Sequence, residues 1–213
     1  MRLFDLKTVV ICTALSVCLG AGVADAATET KHSANASKTA HASKSARHKP
    51  ASAKIATQKV TMLGGKFVFT LPKDYVKGPM EEIDDKAQAA GVTGSLYMNK
   101  PAKRMVIITE TPLPDGKKVP SNDTETLDTI IAETLVQQQS SYKDFKKLGE
   151  KKIVRKGLGL RQLDASGSVD GGKVLSTTIT AASGTRTAMI NVISLAKDAK
   201  AHAAVVKGVT GSK

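Results

Sequence analysis

Sulfur and aromatic side chains are scarce in this chain. Among 213 residues there are two Cys, three Tyr, four Phe and no Trp. Cys12 and Cys18 both lie near the amino terminus, so a product that loses this segment has no thiol. Such a product has no disulfide, no cysteine-bound metal and no thiol nucleophile. The shortage of aromatic rings also disfavours single-stranded nucleic-acid binding, which depends on base stacking.

The chain also lacks the motifs of common catalytic sites. His202 is the single histidine after residue 58, and Asp198 lies one helical turn before it, where it could orient the ring. Ser166 and Ser168 lie in the sequence ASGS, which is not the Gly-x-Ser-x-Gly of a nucleophile elbow. The sequence therefore predicts a non-enzymatic protein with no cofactor, and a small secreted hydrolase using His202 is the weaker alternative.

Two polar clusters need a separate explanation. Four carboxylates lie together in the sequence at Glu81, Glu82, Asp84 and Asp85. Their spacing is not that of a calcium-binding loop, so a solvated acidic loop is expected and no metal site is predicted. Strand alternation places Gln162 and Asp164 on one face, opposite Arg161 and Leu163, where they either bind a polar ligand group or face water.

The first 26 residues have the layout of a secretory signal. Basic residues at Arg2 and Lys7 precede the apolar run TVVICTALSVCL, and small residues follow it. We expect cleavage between Ala26 and Ala27, and therefore a periplasmic or secreted protein that can associate with the inner membrane. An uncleaved anchor and a lipid-modified Cys18 are the alternatives, but the run is short for a span and Val17 is a poor neighbour for lipidation.

Residues 27–58 differ sharply in composition from the rest of the chain. Six basic residues face Glu29 alone, so this segment carries +5 of the net charge of +13. Its Ala, Ser, Thr, Lys and His content predicts a disordered basic tail. The candidate contacts with an anionic surface are Lys38, Lys44, Arg47 and Lys49. The histidines His32, His41 and His48 are spaced too widely for a preformed metal site.

Residues 59–210 have the pattern of one folded domain. Apolar alternation around Gly64-Gly65 predicts two strands joined by a tight two-residue hairpin, and residues 73–93 are expected to form a loop. The segments SLYMN and RMVIITE predict two further strands, and four strand-like runs joined by glycine turns occupy residues 145–196. Short turns require antiparallel neighbours, so this second half is a meander.

Two helices complete the prediction. Asn122 and Glu125 are placed to form a capping box at the start of the first helix. Its expected core face is Leu127, Ile130, Ile131, Thr134 and Leu135. The second helix is short and carboxy-terminal, with Ala199, Ala203 and Val206 on one side. The predicted fold class is α+β, an antiparallel β-sheet covered by helices and preceded by a disordered basic tail.

The linear order of these segments resembles the DcrB family of bacterial envelope proteins, which is related to the PsbP-like fold. The segments that carry the resemblance are GGKFVFTLPKDY, MVIITE, LVQQQSSYKDFK, GLGLRQLDASGSVDGGKVLSTTIT and MINVISLAKDAKAH. The resemblance implies an α/β/α sandwich, a location in the periplasm or at the inner membrane, and no catalytic residues. It also implies a role in envelope integrity or in the uptake of phage DNA.

These observations favour a monomeric binding or envelope-maintenance module. The expected partner is a cell-envelope protein or an anionic membrane surface, with no small-molecule cofactor. The alternative is an electrostatic binder of anionic lipid, lipopolysaccharide or nucleic acid through the basic tail. Nucleic acid is the less favoured of these ligands because aromatic residues are few.

Overall fold

The computed structural model describes residues 56–80, 82–169 and 172–211, and this part of the chain forms nine strands and three helices. The strands are β1 (Thr57–Met62), β2 (Phe67–Pro72), β3 (Val76–Gly78), β4 (Thr93–Asn99), β5 (Arg104–Pro112), β6 (Lys143–Arg155), β7 (Leu158–Val169), β8 (Gly172–Ser183) and β9 (Arg186–Leu195). The helices are α1 (Asp85–Ala89), α2 (Thr124–Ser141) and α3 (Ala199–Thr210). Among the described residues, no helix combines the length and apolar character needed to cross a bilayer.

Seven strands form one antiparallel sheet in the order β3-β4-β5-β9-β8-β7-β6. The four longest strands, β6 to β9, follow one another through short turns, as the glycine positions predicted. The pairing of β5 with β9, from Met105↔Ile193 to Pro112↔Arg186, joins the two halves of the chain. Strands β1 and β2 pair only with each other and form a separate two-stranded sheet.

The β1–β2 connection is longer than the sequence predicted. Met62 and Phe67 are the closing pair of the hairpin, so four residues lie between the strands. Leu63, Gly64 and Gly65 all have positive φ, a backbone region that glycine adopts without the steric cost that a side chain carries. The two-residue turn is therefore wrong, because the two glycines are part of a four-residue connection.

Helices cover both faces of the large sheet. Adjacent side chains of β8 point to opposite faces, so Thr178 lies under α2 while Thr177 lies under α3. The main core fills the space between the sheet, α3 and the β1–β2 hairpin. Its largest members include Phe67, Phe69, Leu71, Tyr75, Leu160, Ile179, Ile190 and Val209. The α+β prediction, an antiparallel sheet covered by helices, is thereby confirmed.

The start of α2 differs from the prediction by one residue. Asp123 is the N-cap, and its carboxylate accepts a hydrogen bond from the Thr126 backbone N–H at 3.0 Å. Asn122 instead lies against β7, where a Cβ built on Gly159 would come within 3.1 Å of the Asn122 Cα. The capping box of Asn122 and Glu125 is therefore wrong.

The buried faces of the two long helices also differ in part from the prediction. Leu127, Ile131 and Thr134 of α2 are buried as expected, and Gln138 joins them one turn later. In α3, the alanines Ala199 and Ala203 are exposed. The buried face of α3 consists of His202, Val205, Val206, Val209 and Thr210.

The expected loop over residues 73–93 contains two short elements. Strand β3 pairs with β4 from Val76↔Met98 to Gly78↔Leu96. Helix α1 begins after Asp84, whose carboxylate accepts a hydrogen bond from the Ala87 N–H at 2.7 Å. One member of the acidic cluster is therefore a helix cap, a common role for aspartate at this position.

Candidate functional site

A chain of hydrogen bonds connects α3 to the sheet beneath it. His202 Nδ1 lies 3.1 Å from the Ser194 hydroxyl of β9, and Nε2 lies 2.9 Å from the Thr177 hydroxyl of β8. Thr177 donates to Asp164 Oδ1 at 2.7 Å, and the Gln162 amide donates to both Asp164 oxygens at 2.9 and 2.8 Å. Three strands and one helix thus contribute to one polar constellation.

The register of the sheet explains why these residues meet. Thr177 is paired with Asp164 on β7 and with Val192 on β9, two residues before Ser194. Residues two apart on a strand share a face, so Gln162, Asp164 and Ser194 all point toward α3. The predicted common face of Gln162 and Asp164 is confirmed, and these side chains bind each other.

Counting protons assigns the tautomer of the imidazole. The single hydroxyl proton of Thr177 is donated to Asp164, so Thr177 can only accept from His202, and Nε2 must carry the proton. In the neutral ring Nδ1 is then an acceptor, and it receives the Ser194 hydroxyl proton. The three hydrogen bonds therefore run in one direction: Ser194 donates to His202, His202 donates to Thr177, and Thr177 donates to Asp164.

Burial decides the charge of this histidine. Desolvation lowers the pKa of His202, and the negative charge of Asp164 opposes that shift without overcoming it. His202 is 6 % exposed and Ser194 is 1 % exposed. A neutral imidazole between two hydroxyls resembles the relay of a serine hydrolase, but here the serine is beneath a helix and Thr177 stands between histidine and carboxylate.

The opposite face of the same strands carries a second buried polar group. Gln138 of α2 donates to the Thr178 hydroxyl at 2.8 Å, and Ser176 donates to Asn191 Oδ1 at 3.1 Å. These residues were not singled out from the sequence. Gln138 follows Leu127, Ile131 and Thr134 at helical spacing, so the periodicity that identified the apolar members could also have identified it.

The other residues considered from the sequence lie elsewhere. Asp198 does not contact His202 but lies 3.6 Å from the Arg104 guanidinium. Arg161 points away from Asp164, to the α2 face, where it donates to Asp128. Within the described part of the chain, no three His, Cys, Asp or Glu side chains are grouped so that they could hold a metal ion.

The predicted tail contacts and the leader lie outside the described residues. This applies to Lys38, Lys44, Arg47 and Lys49, and to the proposed cleavage between Ala26 and Ala27. It also applies to the two cysteines and to the histidines of the tail. Those assignments remain predictions.

Comparison with known proteins gives similarity of structure only. No protein-family model and no curated protein sequence matches the chain. The chain is similar to the solution structure of cyanobacterial PsbP (CyanoP) from Synechocystis, with 8 % identity, a TM-score of 0.49, and coverage of 72 % of this chain and 91 % of that one.

Two crystal structures show similarity of the same order. LpqN of Mycobacterium tuberculosis, involved in cell envelope biogenesis, is 13 % identical with a TM-score of 0.42, and the match covers 74 % of this chain and 88 % of LpqN. A Pseudomonas aeruginosa protein of unknown function, described as a putative regulator, is 12 % identical with a TM-score of 0.40, and the match covers 71 % and 91 %. Similarities at this level carry no information about activity or partners.

Proposed function

We propose that this protein is a non-enzymatic binding module of the bacterial cell envelope, exported by its leader and attached to a basic tail. The observation that carries the proposal is the burial of the polar constellation around His202. Ser194, His202 and Thr177 are buried, and the two hydrogen bonds of His202 hold α3 on the sheet, while Thr177 also donates to the half-buried Asp164. An arrangement that is satisfied internally supports a structural role, since a nucleophile must reach its substrate.

The remaining support comes from the sequence. The leader of residues 1–26 and the +5 tail of residues 27–58 are typical of a protein that works outside the cytoplasm near an anionic surface. The resemblance to DcrB proteins adds envelope maintenance, and a part in phage DNA uptake, as the specific form of this role. The second candidate is an electrostatic binder of anionic lipid, lipopolysaccharide or nucleic acid through Lys38, Lys44, Arg47 and Lys49.

A turnover screen tests the central claim. Purified protein is assayed with ester, peptide, glycoside and phosphoester substrates, and no turnover above the blank is expected. The variants Ser194→Ala and His202→Gln identify any activity of the buried constellation, and Ser166→Ala is the control because this serine lies outside it. Turnover that disappears in the first two variants and persists in the third contradicts the proposal.

Mass measurement on protein recovered from the producing cells tests the location. The expected mass is that of a chain beginning at Ala27, found in the periplasmic or extracellular fraction. A cytosolic product that retains Met1 would contradict export, whatever the turnover screen shows.

A further inference from the structure

One corner of the large sheet combines exposed lysines with exposed apolar surface. We define the lysine corner as Lys73, Val76, Lys77, Lys100 and Lys103, all of which are exposed. Val76 is 69 % exposed, the highest value among the exposed large hydrophobic residues of the described chain. The corner is the place where β3 begins, β4 ends and β5 begins.

Strand register extends the apolar surface behind Val76. Val76 is paired with Met98 of β4, and Met98 is paired with Met105 of β5. Directly paired residues point to the same face, so these three side chains form a row across the edge of the sheet. Both methionines are only half-buried. Half-buried apolar side chains therefore lie behind the exposed Val76 on the same face of the sheet.

Asn99 holds the two lysine-bearing segments together. Its side chain is buried, and its amide donates to Asp74 Oδ2 at 2.7 Å, beside Lys73. Its carbonyl oxygen accepts from the Ala102 N–H at 3.2 Å, inside the turn that carries Lys100 and Lys103. That turn is closed by a hydrogen bond from the Lys103 N–H to the Lys100 carbonyl at 3.1 Å. Asn99 thus connects the residue after Lys73 to the turn that carries Lys100 and Lys103.

The preceding part of the chain joins the domain at the same corner. The Lys73 N–H donates to the Ala56 carbonyl at 2.9 Å, so the first described residue lies beside the first lysine of the corner. The residues immediately before it belong to the +5 segment of residues 27–58. The basic segment therefore precedes, in the sequence, the residue that contacts the backbone of Lys73.

Lysines on an edge strand have a simpler explanation, because charge at a sheet edge prevents unwanted strand pairing. That explanation accounts for Lys77 on β3. It does not account for the lysines of the β4–β5 turn, which lie outside the edge strand, or for the exposed Val76. An exposed apolar residue at the same corner as several lysines is a combination that interfacial membrane contacts use.

We propose that the lysine corner docks the domain on an anionic phospholipid bilayer. The ammonium groups of Lys73, Lys100 and Lys103 contact headgroup phosphates, and Val76, with Met98 and Met105 behind it, lies at the boundary of headgroups and acyl chains. Lys77 follows Val76 on β3 and points to the opposite face of the sheet, so it contributes charge but no contact on this face. Charge complementarity and the position of Ala56 favour a bilayer over a soluble polyanion, which would have no use for the apolar side chains. This inference deepens the proposed function by naming a partner, and it fails independently of the turnover screen.

Vesicle flotation with matched charge variants tests the electrostatic part. Purified protein is mixed with phosphatidylcholine vesicles with and without phosphatidylglycerol. The double variant Lys100→Glu/Lys103→Glu is compared with Lys117→Glu/Lys118→Glu, which changes net charge equally at exposed lysines of the opposite end of the sheet. Loss of two lysines near a charged bilayer is expected to weaken binding at least about thirtyfold, and the control far less.

Tryptophan fluorescence tests the apolar part. The chain has no Trp, so Val76→Trp and the control Val136→Trp each provide a single reporter at sites 69 % and 67 % exposed. Val136 lies on the outer surface of α2. Anionic vesicles are expected to shift the emission of the first reporter to shorter wavelength and to leave that of the second unchanged.

Three outcomes of these vesicle experiments contradict the proposal. Absence of binding to phosphatidylglycerol vesicles, equal weakening by both charge-reversal pairs, or an unshifted reporter at position 76 would overturn it. Tighter binding to a single-stranded oligonucleotide than to vesicles, lost in Lys100→Glu/Lys103→Glu, would assign the corner to a soluble polyanion instead. None of these binding results bears on whether the protein is an enzyme.

Discussion

The imidazole of His202 is placed between two hydroxyl groups at a position that also belongs to the apolar face of α3. Its neighbours on that face are Val205, Val206 and Val209. A histidine replaces a fourth aliphatic residue here because β8 and β9 present Thr177 and Ser194 to the helix, and these hydroxyls need a partner when buried. Removing the ring would take away the partner of the buried Ser194 hydroxyl, at about 1–3 kcal/mol, whereas Thr177 would keep its hydrogen bond to Asp164.

The folded protein is expected to become less stable as the pH is lowered, because His202 is then protonated. Because burial lowers the pKa of His202 in the folded protein, the unfolded chain binds the proton more readily. The free energy of unfolding is therefore expected to be highest above the ordinary histidine pKa of 6.5, and to fall as the pH drops below it. Urea unfolding at several values between pH 8 and pH 5 measures this slope, and His202→Gln should flatten it.

The tail provides the control for that experiment. The triple variant His32→Gln, His41→Gln and His48→Gln removes the other three histidines of the chain. It is expected to keep the wild-type slope, since these histidines belong to the tail that the sequence predicts to be disordered and not to the folded domain. An unchanged slope in His202→Gln would show that His202 does not carry this dependence.

At the scale of single elements, local sequence predicts where a helix lies better than which residue caps it. The polar residues Asn122 and Asp123 are equally good caps by type, and both precede the apolar stripe of α2. The choice is made by tertiary structure, because Gly159 N–H donates to the Ser121 carbonyl at 2.7 Å and draws Asn122 against β7. No local pattern contains that contact.

Separate alanine variants distinguish the two caps. Asp123→Ala removes the acceptor of the Thr126 N–H and is expected to lower the midpoint of thermal unfolding clearly more than Asn122→Ala does. The hydrogen bonds from Thr126 lower the pKa of the Asp123 carboxyl, so this contribution is present at neutral pH and is lost as the pH falls through the lowered value. A larger loss in Asn122→Ala would contradict the assignment.

Local sequence also does not determine which face of α3 is buried. Spacing alone allows either the alanines Ala199 and Ala203 or the set beginning with His202 to face the core. The structure chooses the second because three valines bury more apolar area than alanines can. Of the three residues that the sequence grouped on one side, only Val206 belongs to the buried face, and a buried histidine with two hydroxyl partners is an ordinary core arrangement.

At the scale of the whole molecule, sequence order predicts only the pairings between neighbours in the chain. The meander from β6 to β9 follows from its short glycine turns. The contact of β5 with β9 does not, because it joins segments separated by α2 and three strands. The same is true of the β1–β2 hairpin, which packs its phenylalanines against α3 instead of extending the large sheet.

Long-range pairing also creates the surfaces from which function is inferred. The constellation at His202 needs three strands in register, and the lysine corner needs the starts of β3 and β5 beside the end of β4. The sequence shows lysines at each of these positions without indicating that they meet. It does predict the basic tail, whose charge depends on composition alone.

The tail and the lysine corner should act on one membrane as linked sites. Two weak contacts on one chain bind more tightly than either alone, since the second forms at a high effective concentration. Replacing Lys38, Lys44, Arg47 and Lys49 with Gln is therefore expected to weaken binding to phosphatidylglycerol vesicles and to reduce its salt dependence. Combining this change with Lys100→Glu/Lys103→Glu should reduce binding further than either set does. If the tail variant binds vesicles as tightly as the wild type does, the lysine corner acts alone. If the combined variant binds as tightly as the tail variant does, the tail provides all the affinity and the lysine corner provides none.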